Sequence, residues 1–144
     1  MPQKNLDPRA AKKLLDGAEG WAYLDVRTEQ EFRAGHATGA WNVPVMVRDS
    51  AGRMAPNAEF VAVVKKNFPP SSRLVVGCAS GVRSLRACDA LAAAGYGELV
   101  NLSSGFQGRI DENGAPEAGW QDCGLPCESA GPAERTYANL RAKK

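Results

Sequence analysis

Four apolar stretches along the chain predict β-strands. Three of them cover residues 21–26 (WAYLDV), 73–78 (RLVVGC) and 98–102 (ELVNL). Each is shorter than a helix and is bounded by glycine, proline or charged residues, as is typical of a buried strand. The fourth, at residues 41–47, lies in a segment interrupted by glycine and proline. It predicts a short strand within a long loop.

Between these runs, apolar residues recur at spacings of three and four, which predicts helices. Asp7 and Asn57 are candidate N-caps, and Thr28 with Glu31 three residues later fits a capping box. Glycine or proline ends each segment. The predicted helices run from Pro8 to Gly17, from Thr28 to Gly35, from Asn57 to Phe68, and from about Ser84 to Ala94.

The alternation of strands and helices predicts an α/β domain with a central, mostly parallel sheet and helices on both faces. Ligands of such sheets bind at the carboxyl ends of the strands. Cys78 ends the second predicted strand and therefore lies at that edge. We expect a single domain over residues 1–128, followed by a polar C-terminal tail, residues 129–144, that is partly mobile.

The amino-acid composition limits the partners and the cellular location that we expect for the protein. The 144 residues carry a formal charge of +2, and the basic residues are scattered, so nucleic acid is not an expected partner. The sequence contains no apolar run of membrane-spanning length, and its first residues lack the apolar core of a signal peptide. We therefore expect no membrane partner and a cytoplasmic protein. Four cysteines are too few for a disulfide scaffold in a chain of this length.

The segment after Cys78 predicts a cradle for a negatively charged sulfur. Small residues and a glycine lead directly into a helix, whose first N–H groups have no intrahelical partner. Inward-pointing N–H groups and the helix dipole stabilise a thiolate at such a place. A buried thiol used only for packing would not require this combination. The candidate nucleophile is Cys78, and the candidate binding loop is Ala79, Ser80, Gly81, Val82, Arg83 and Ser84.

Two motifs make the chain resemble the single-domain rhodaneses, a thiosulfate sulfurtransferase-like family. Residues 23–44, YLDVRTEQEFRAGHATGAWNVP, match a family signature, and CASGVRS, residues 78–84, matches the family's active-site loop. The resemblance extends over nearly the whole chain. It implies a rhodanese-like fold and an enzyme that needs no cofactor or metal.

The resemblance also implies a double-displacement mechanism. Cys78 would take a sulfur from thiosulfate, glutathione persulfide or a related donor, hold it as a persulfide, and pass it to cyanide, a small thiol or a protein thiol. Loop N–H groups would stabilise the terminal sulfur. Arg83 would either fix the loop or meet the anionic donor. Mercaptopyruvate is the donor that the loop favours least.

Four further signature residues are assigned no catalysis: Asp25, Arg27, Glu31 and His36. The first two flank a strand end, where pairing with opposite charges or loop backbone is common. His36 is expected to be a hydrogen-bonded structural residue, because a thiolate held by amides needs no base.

Two alternatives remain open. Phosphatases and arsenate reductases of the same fold place five residues between cysteine and arginine, whereas four separate Cys78 from Arg83. The loop also lacks an Asp or Glu that could protonate a leaving group. A non-catalytic rhodanese-like module, kept for binding or regulation, is the second alternative. Such modules typically lack the cysteine that is present here.

The region after residue 102 departs from the family pattern. Residues 104–120 form an insertion that is expected beside the mouth of the site, and Trp120 comes about ten residues late. Arg109, within the insertion, is either a solvated surface residue or a group that attracts an anionic substrate. Cys123 and Cys127 are expected to be auxiliary thiols, with acidic neighbours that disfavour their thiolates. Their spacing is also short enough for a local disulfide or a sulfur relay. Cys88 is expected to serve packing.

Overall fold

Five parallel strands form the central sheet of the computed structural model, which describes residues 3–143. Six further short strands form two-stranded pairs around the sheet. In chain order the strands are β1 (Gln3–Leu6), β2 (Ala22–Asp25), β3 (His36–Ala37), β4 (Trp41–Asn42), β5 (Met46–Arg48), β6 (Met54–Pro56), β7 (Arg73–Gly77), β8 (Glu98–Leu102), β9 (Arg109–Ile110), β10 (Pro116–Glu117) and β11 (Cys127–Glu128). The α-helices are α1 (Pro8–Asp16), α2 (Glu29–Ala34), α3 (Phe60–Asn67), α4 (Val82–Ala93) and α5 (Tyr137–Ala142).

The strand order of the central sheet is β1-β8-β7-β2-β4, and every neighbouring pair is parallel. The three strands predicted most clearly are β2, β7 and β8, which occupy the middle of the sheet. β1 was not predicted, because its sequence QKNL is polar and carries no buried-strand pattern at the sheet edge. Of the predicted strand at residues 41–47, only β4 and the first residues of β5 are extended.

Side chains alternate between the two faces of β7, as the strand geometry requires. Leu74 and Val76 point to a core that also contains buried residues of α3, α4 and α5. Val75 points to the opposite core, which contains buried residues of α1 and α2. The predicted α/β fold with helices on both faces is therefore confirmed.

The first two helices begin at the predicted caps. The Asp7 carboxylate accepts a hydrogen bond from the Ala10 backbone N–H at 2.8 Å. Thr28 and Glu31 form the complete capping box, in which each side chain accepts from the backbone N–H of the other. Local hydrogen bonds alone define these helix starts, so the sequence was sufficient to predict them.

The starts of α3 and α4 differ from the prediction. α3 begins at Phe60, and Asn57 instead forms the turn before it, accepting from the Glu59 N–H at 3.0 Å. α4 begins at Val82, two residues earlier than predicted, directly after Gly81 with φ of 95°.

Among residues 3–143, no helix has the length and apolar character needed to cross a bilayer.

The C-terminal segment packs against the domain through α5, in contrast to the partly mobile tail expected for residues 129–144. Tyr137 and Leu140 lie three residues apart on α5, and both are buried against the α3 and α4 side of the sheet. The side-chain amide of Asn57 donates to the Tyr137 hydroxyl at 3.0 Å, and that of Asn67 donates to the Leu140 carbonyl at 3.1 Å. Two buried apolar residues at helical spacing, together with these hydrogen bonds, pack α5 of this otherwise polar segment against the domain.

Candidate active site

Cys78 lies at the carboxyl end of β7, in the middle of the sheet, and precedes α4. Its exposed fraction is only 1%. The neighbouring residues Ala79, Ser80 and Arg83 are partly exposed and form the rim above it. The structure therefore places the predicted loop at the edge of the sheet where ligands of parallel α/β folds bind.

Two backbone N–H groups of the loop point at the Cys78 sulfur. The Gly81 N–H lies 3.1 Å from Sγ, and the Ser84 N–H lies 3.3 Å from it. Both belong to the start of α4, where N–H groups have no partner within the helix. They provide the donor set that a negatively charged sulfur requires.

A buried chain of polar side chains leads away from the sulfur. Sγ contacts the Ser84 hydroxyl at 3.4 Å, and that hydroxyl donates to the side-chain oxygen of Asn101 on β8. The Asn101 amide in turn donates to Asn5 on β1 at 2.9 Å. Asn101 was not among the predicted site residues, although a buried-strand pattern interrupted by one asparagine was a visible signal.

Gly81 is required by both backbone conformation and space. Its φ of 95° lies in the left-handed region, and a Cβ at this position would collide with the carbonyl oxygen of Ser103. The turn brings its N–H group onto the sulfur. The glycine noted in the sequence motif is therefore a geometric requirement of the cradle.

A second loop, residues 103–107, holds the outside of the cradle. The Phe106 N–H donates to the Cys78 carbonyl at 2.7 Å, and the Gln107 N–H donates to the Ala79 carbonyl at 2.9 Å. A Cβ on Gly105 would lie 2.5 Å from the Ala79 carbonyl oxygen, so only glycine allows this approach. Because the Cys78 and Ala79 carbonyls are bound by the second loop, they point away from the sulfur, and the N–H groups of Gly81 and Ser84 face it.

Arg83 is bound to Glu31 of α2. Its guanidinium donates to the two carboxylate oxygens at 2.7 and 2.9 Å. Burial opposes ionisation of Glu31, but hydrogen bonds from Arg83 and the Thr28 backbone outweigh it and lower the pKa of Glu31 to about 2. Of the two roles considered for Arg83, this geometry supports fixing the loop.

Asp25 and Arg27 form a buried ion pair beneath the second loop, with 2.8 Å between Arg27 Nη2 and Asp25 Oδ2. Arg27 also donates to the Gly35 carbonyl at 2.7 Å and lies over the Phe106 ring, 4.5 Å from its centroid. These contacts connect the first sequence motif to the loop that supports Cys78. Both side chains are buried within the fold, and their lack of a catalytic role stays a prediction.

His36 is fully buried and hydrogen-bonded on both ring nitrogens. Nδ1 lies 2.6 Å from the Phe32 carbonyl oxygen, and Nε2 lies 3.0 Å from the Glu128 carboxylate. Glu128 belongs to β11, which pairs with β3. His36 therefore joins the end of the domain to α2, as expected for a structural residue.

The insertion forms a short hairpin, β9–β10, next to the second loop. The backbone N–H groups of Trp120 and Gln121 donate to the Gly105 and Phe106 carbonyls at 2.9 and 3.1 Å. Trp120 is buried against Tyr23, with ring centroids 5.3 Å apart. Arg109 forms an ion pair with Glu117 across the hairpin at 3.3 Å. The insertion thus adds a layer behind the loop that supports the cradle.

The other cysteines have no bond to one another. Burial, with a smaller contribution from Asp89, raises the pKa of Cys88 to about 12, consistent with a packing role. Cys127 is exposed beside a cavity of about 520 Å³. Partial burial raises the pKa of its thiol, and Glu128, which the sequence suggested as the cause, is paired with His36 instead. Among residues 3–143, no three His, Cys, Asp or Glu side chains cluster to hold a metal ion.

Comparison with known proteins identifies the family. Residues 7–111 match the model of the rhodanese-like domain. Thiosulfate sulfurtransferase 18 of Arabidopsis thaliana is 40% identical over 111 residues, covering 76% of this chain and 79% of the relative. Protein HIGH ARSENIC CONTENT 1, mitochondrial, of the same plant is 32% identical over 125 residues, 87% of this chain and 72% of the relative.

A solved structure shares the fold. The crystal structure of Rv0390 from M. tuberculosis superimposes with a TM-score of 0.72 at 27% identity, covering 88% of this chain and 98% of that chain. The residues matched by the family model contain β2, β4, β7 and β8 of the central sheet, the first sequence motif and the Cys78 loop. With the family model and the sequence relatives in agreement, this chain belongs to the rhodanese-like domain family.

Proposed function

We propose that the protein is a sulfurtransferase that carries sulfane sulfur on Cys78. Family membership supports sulfur-transfer chemistry in general. The observation that carries the specific proposal is the pair of N–H groups, from Gly81 and Ser84, at 3.1 and 3.3 Å from the Cys78 sulfur. A packing cysteine has no use for two converging charge-stabilising donors.

The first half-reaction loads the cysteine. The Cys78 thiolate attacks the outer sulfur of thiosulfate, the S–S bond of thiosulfate breaks, and sulfite leaves with the bonding electrons. Glutathione persulfide would react in the same way, with glutathione as the leaving thiol. The loop N–H groups at residues 79–84 stabilise the charge on the bound sulfur as it forms.

The second half-reaction unloads it. A thiolate or cyanide attacks the outer sulfur of the persulfide, and the Cys78 thiolate leaves. No external oxidant or reductant is needed over the cycle, because the sulfur moves as a neutral sulfane atom and each leaving nucleophile keeps the electron pair of the bond that breaks. No cofactor takes part in either step, and Arg83 contributes by holding the loop through Glu31.

The decisive experiment combines mass spectrometry with a single substitution. After incubation with thiosulfate and removal of excess donor, wild-type protein should gain one sulfur atom, which cyanide removes as thiocyanate. Cys78→Ser should gain none and should stay folded, whereas the control Cys88→Ala should retain the modification. Sulfur transfer by Cys78→Ser would refute the proposal.

The same preparation tests the alternatives. A folded wild-type protein that never acquires sulfur from thiosulfate or glutathione persulfide would support a non-catalytic binding module. Arsenate and p-nitrophenyl phosphate should not be turned over, since the loop has four residues between Cys78 and Arg83 and no acid for a leaving group. Turnover of either would support the reductase or phosphatase reading. A cytoplasmic location remains a prediction for localisation experiments.

A further inference from the structure

A groove beside the Cys78 loop separates the start of α4 from the β5–β6 hairpin. It encloses about 360 Å³ and is lined by Met46, Met54, Val82, Arg83 and Arg86, which we call the α4 groove. Val82 directly follows Gly81, whose N–H contacts the Cys78 sulfur. Anything bound in the α4 groove therefore touches the residue next to the cradle.

Exposed apolar side chains concentrate around this groove. Among the described residues, four large hydrophobic side chains are exposed. Val82 at 71% and Met54 at 40% line the groove, and Leu85 at 38% is on α4, which forms one of its walls. Leu85 is one helical turn after Val82 on α4. Single exposed apolar residues are common on protein surfaces, but clustered ones mark interaction sites. Methionines in particular adapt to the shape of a partner.

The surroundings of the groove are basic. Arg48 lies opposite Met54 in the β5–β6 ladder, so both side chains are on the same face of the hairpin. Asp49 lies 3.9 Å from Arg53, and Glu31 is paired with Arg83, so these two carboxylates already have a cation.

Arg86 completes the basic wall and lacks a strong partner. Within the described part of the chain its hydrogen bond is to the Met46 thioether, at 3.7 Å, and thioether sulfur is a weak acceptor. Asp89 is the sole carboxylate on α4. Arg48 likewise donates to a backbone carbonyl and forms no ion pair among residues 3–143. A carboxylate from outside would be a stronger partner for both guanidinium groups.

We propose that the α4 groove docks an acidic protein that accepts the sulfur from Cys78. This inference rests on the proposed function and names its partner. Apolar side chains of the acceptor would fill the space between the methionines and Val82, and its carboxylates would pair with Arg48 and Arg86. Its cysteine would then face the rim of the cradle. Cyanide needs no such groove, because it reaches the buried sulfur without other contacts.

Sulfur passes from the Cys78 persulfide to the acceptor by thiol–persulfide exchange, in which one bond forms as another breaks. The acceptor thiolate attacks the outer sulfur of the Cys78 persulfide, the S–S bond to Cys78 breaks, and Cys78 leaves as a thiolate. The acceptor thiol loses its proton to solvent before this attack, and the acceptor becomes the persulfide. The loading donor supplies the sulfane sulfur, so no oxidant is needed.

The test uses three synthetic peptides that each carry one cysteine and two leucines. They differ only in their flanking residues, which are all Glu, all Gln or all Lys. Wild-type protein loaded with thiosulfate should transfer sulfur to the Glu peptide with a kcat/KM about tenfold or more above that for the Gln peptide, and the preference should fall with added salt. The Lys peptide should be the poorest acceptor.

A charge-reversing variant tests the groove itself. Met54→Asp with Arg86→Glu should lose the preference for the Glu peptide while its thiosulfate-to-cyanide activity stays at the wild-type level. The matched control, Arg9→Glu with Ile110→Asp, makes the same kinds of change on exposed residues of α1 and β9 and should keep the preference.

The outcomes separate the two proposals. If wild-type protein shows no sulfur transfer from thiosulfate to cyanide, the proposed function itself is refuted. Normal cyanide turnover with no peptide preference, or with a preference that survives the groove variant, would overturn the docking inference alone. Groove-dependent dimerisation of the protein, or groove-dependent binding to anionic phosphatidylserine vesicles in place of the acidic peptide, would also overturn it.

Discussion

Arg83 of the cysteine loop and Glu31 of the first sequence motif are joined by two hydrogen bonds of 2.7 and 2.9 Å. They are 52 residues apart in the chain and belong to different helices. Glu31 also completes the capping box of α2, so its carboxylate is held by the Thr28 backbone N–H as well as by Arg83. The cradle around Cys78 is thereby fastened to a helix on the opposite face of the sheet.

Loosening this link should slow sulfur transfer more than it destabilises the fold. Arg83→Ala and Glu31→Gln should each lower kcat/KM with thiosulfate by about tenfold to a hundredfold, because small displacements of the cradle misplace the sulfur. The free energy of unfolding should fall by only about 0.2–1 kcal/mol from loss of a partly exposed ion pair.

A double variant, Arg83→Ala with Glu31→Gln, distinguishes a role of Arg83 in positioning the loop from a role in attracting the anionic donor. If Arg83 acts through Glu31, the double variant should be no slower than the slower single variant. Independent, multiplicative losses would mean that Arg83 meets the donor directly. Arg83→Lys should recover little activity, because a lysine cannot donate to both carboxylate oxygens in this geometry.

The contribution of Glu31 to stability should depend on pH in the acid range. The pKa of Glu31 in the folded protein, about 2, is below its ordinary value of 4.5, so the unfolded chain binds a proton more readily. The resulting stabilisation is complete above pH 4.5 and is lost as the pH falls towards 2. Unfolding free energies of wild type and Glu31→Gln, measured from pH 7 to 2, should therefore converge below pH 4.5. A constant difference over that range would contradict the depressed pKa.

Cys123, which is half-buried, and Cys127, which is exposed, should be dispensable for small acceptors. Cys123→Ser with Cys127→Ser should keep most of the thiosulfate-to-cyanide activity, since neither residue contacts the Cys78 cradle and partial burial disfavours the Cys127 thiolate. Steady-state turnover and intact mass should be measured together. A double variant that accumulates the Cys78 persulfide and stops turning over would identify the pair as a relay.

The last helix should contribute to stability and leave the chemistry unchanged. Leu140→Ala removes a buried side chain from the core shared with α3, and should lower the free energy of unfolding by about 2–5 kcal/mol. Activity per folded molecule should stay the same. The exposed residue Asn139 of the same helix provides the control, because Asn139→Ala should change stability by less than about 0.5 kcal/mol. Equal stability of both variants would support the mobile tail that the sequence predicted.

Local patterns were enough to predict much of this protein. The strands β2, β7 and β8, the capping box of α2 and the glycine turn after Cys78 depend on residues within a few positions of one another, where backbone preference and side-chain periodicity act directly. The two motifs also sufficed to recognise the family.

Tertiary structure decided which side chains meet. Strand β1 is polar and becomes a strand only because β8 offers it an edge to pair with, and α5 is held by two residues that need the α3 surface. The sequence left two roles for Arg83, fixing the loop or meeting the anionic donor, and chain packing paired it with Glu31. Such choices depend on distances between residues that are far apart in the chain, and hydrophobic periodicity carries no information about those distances.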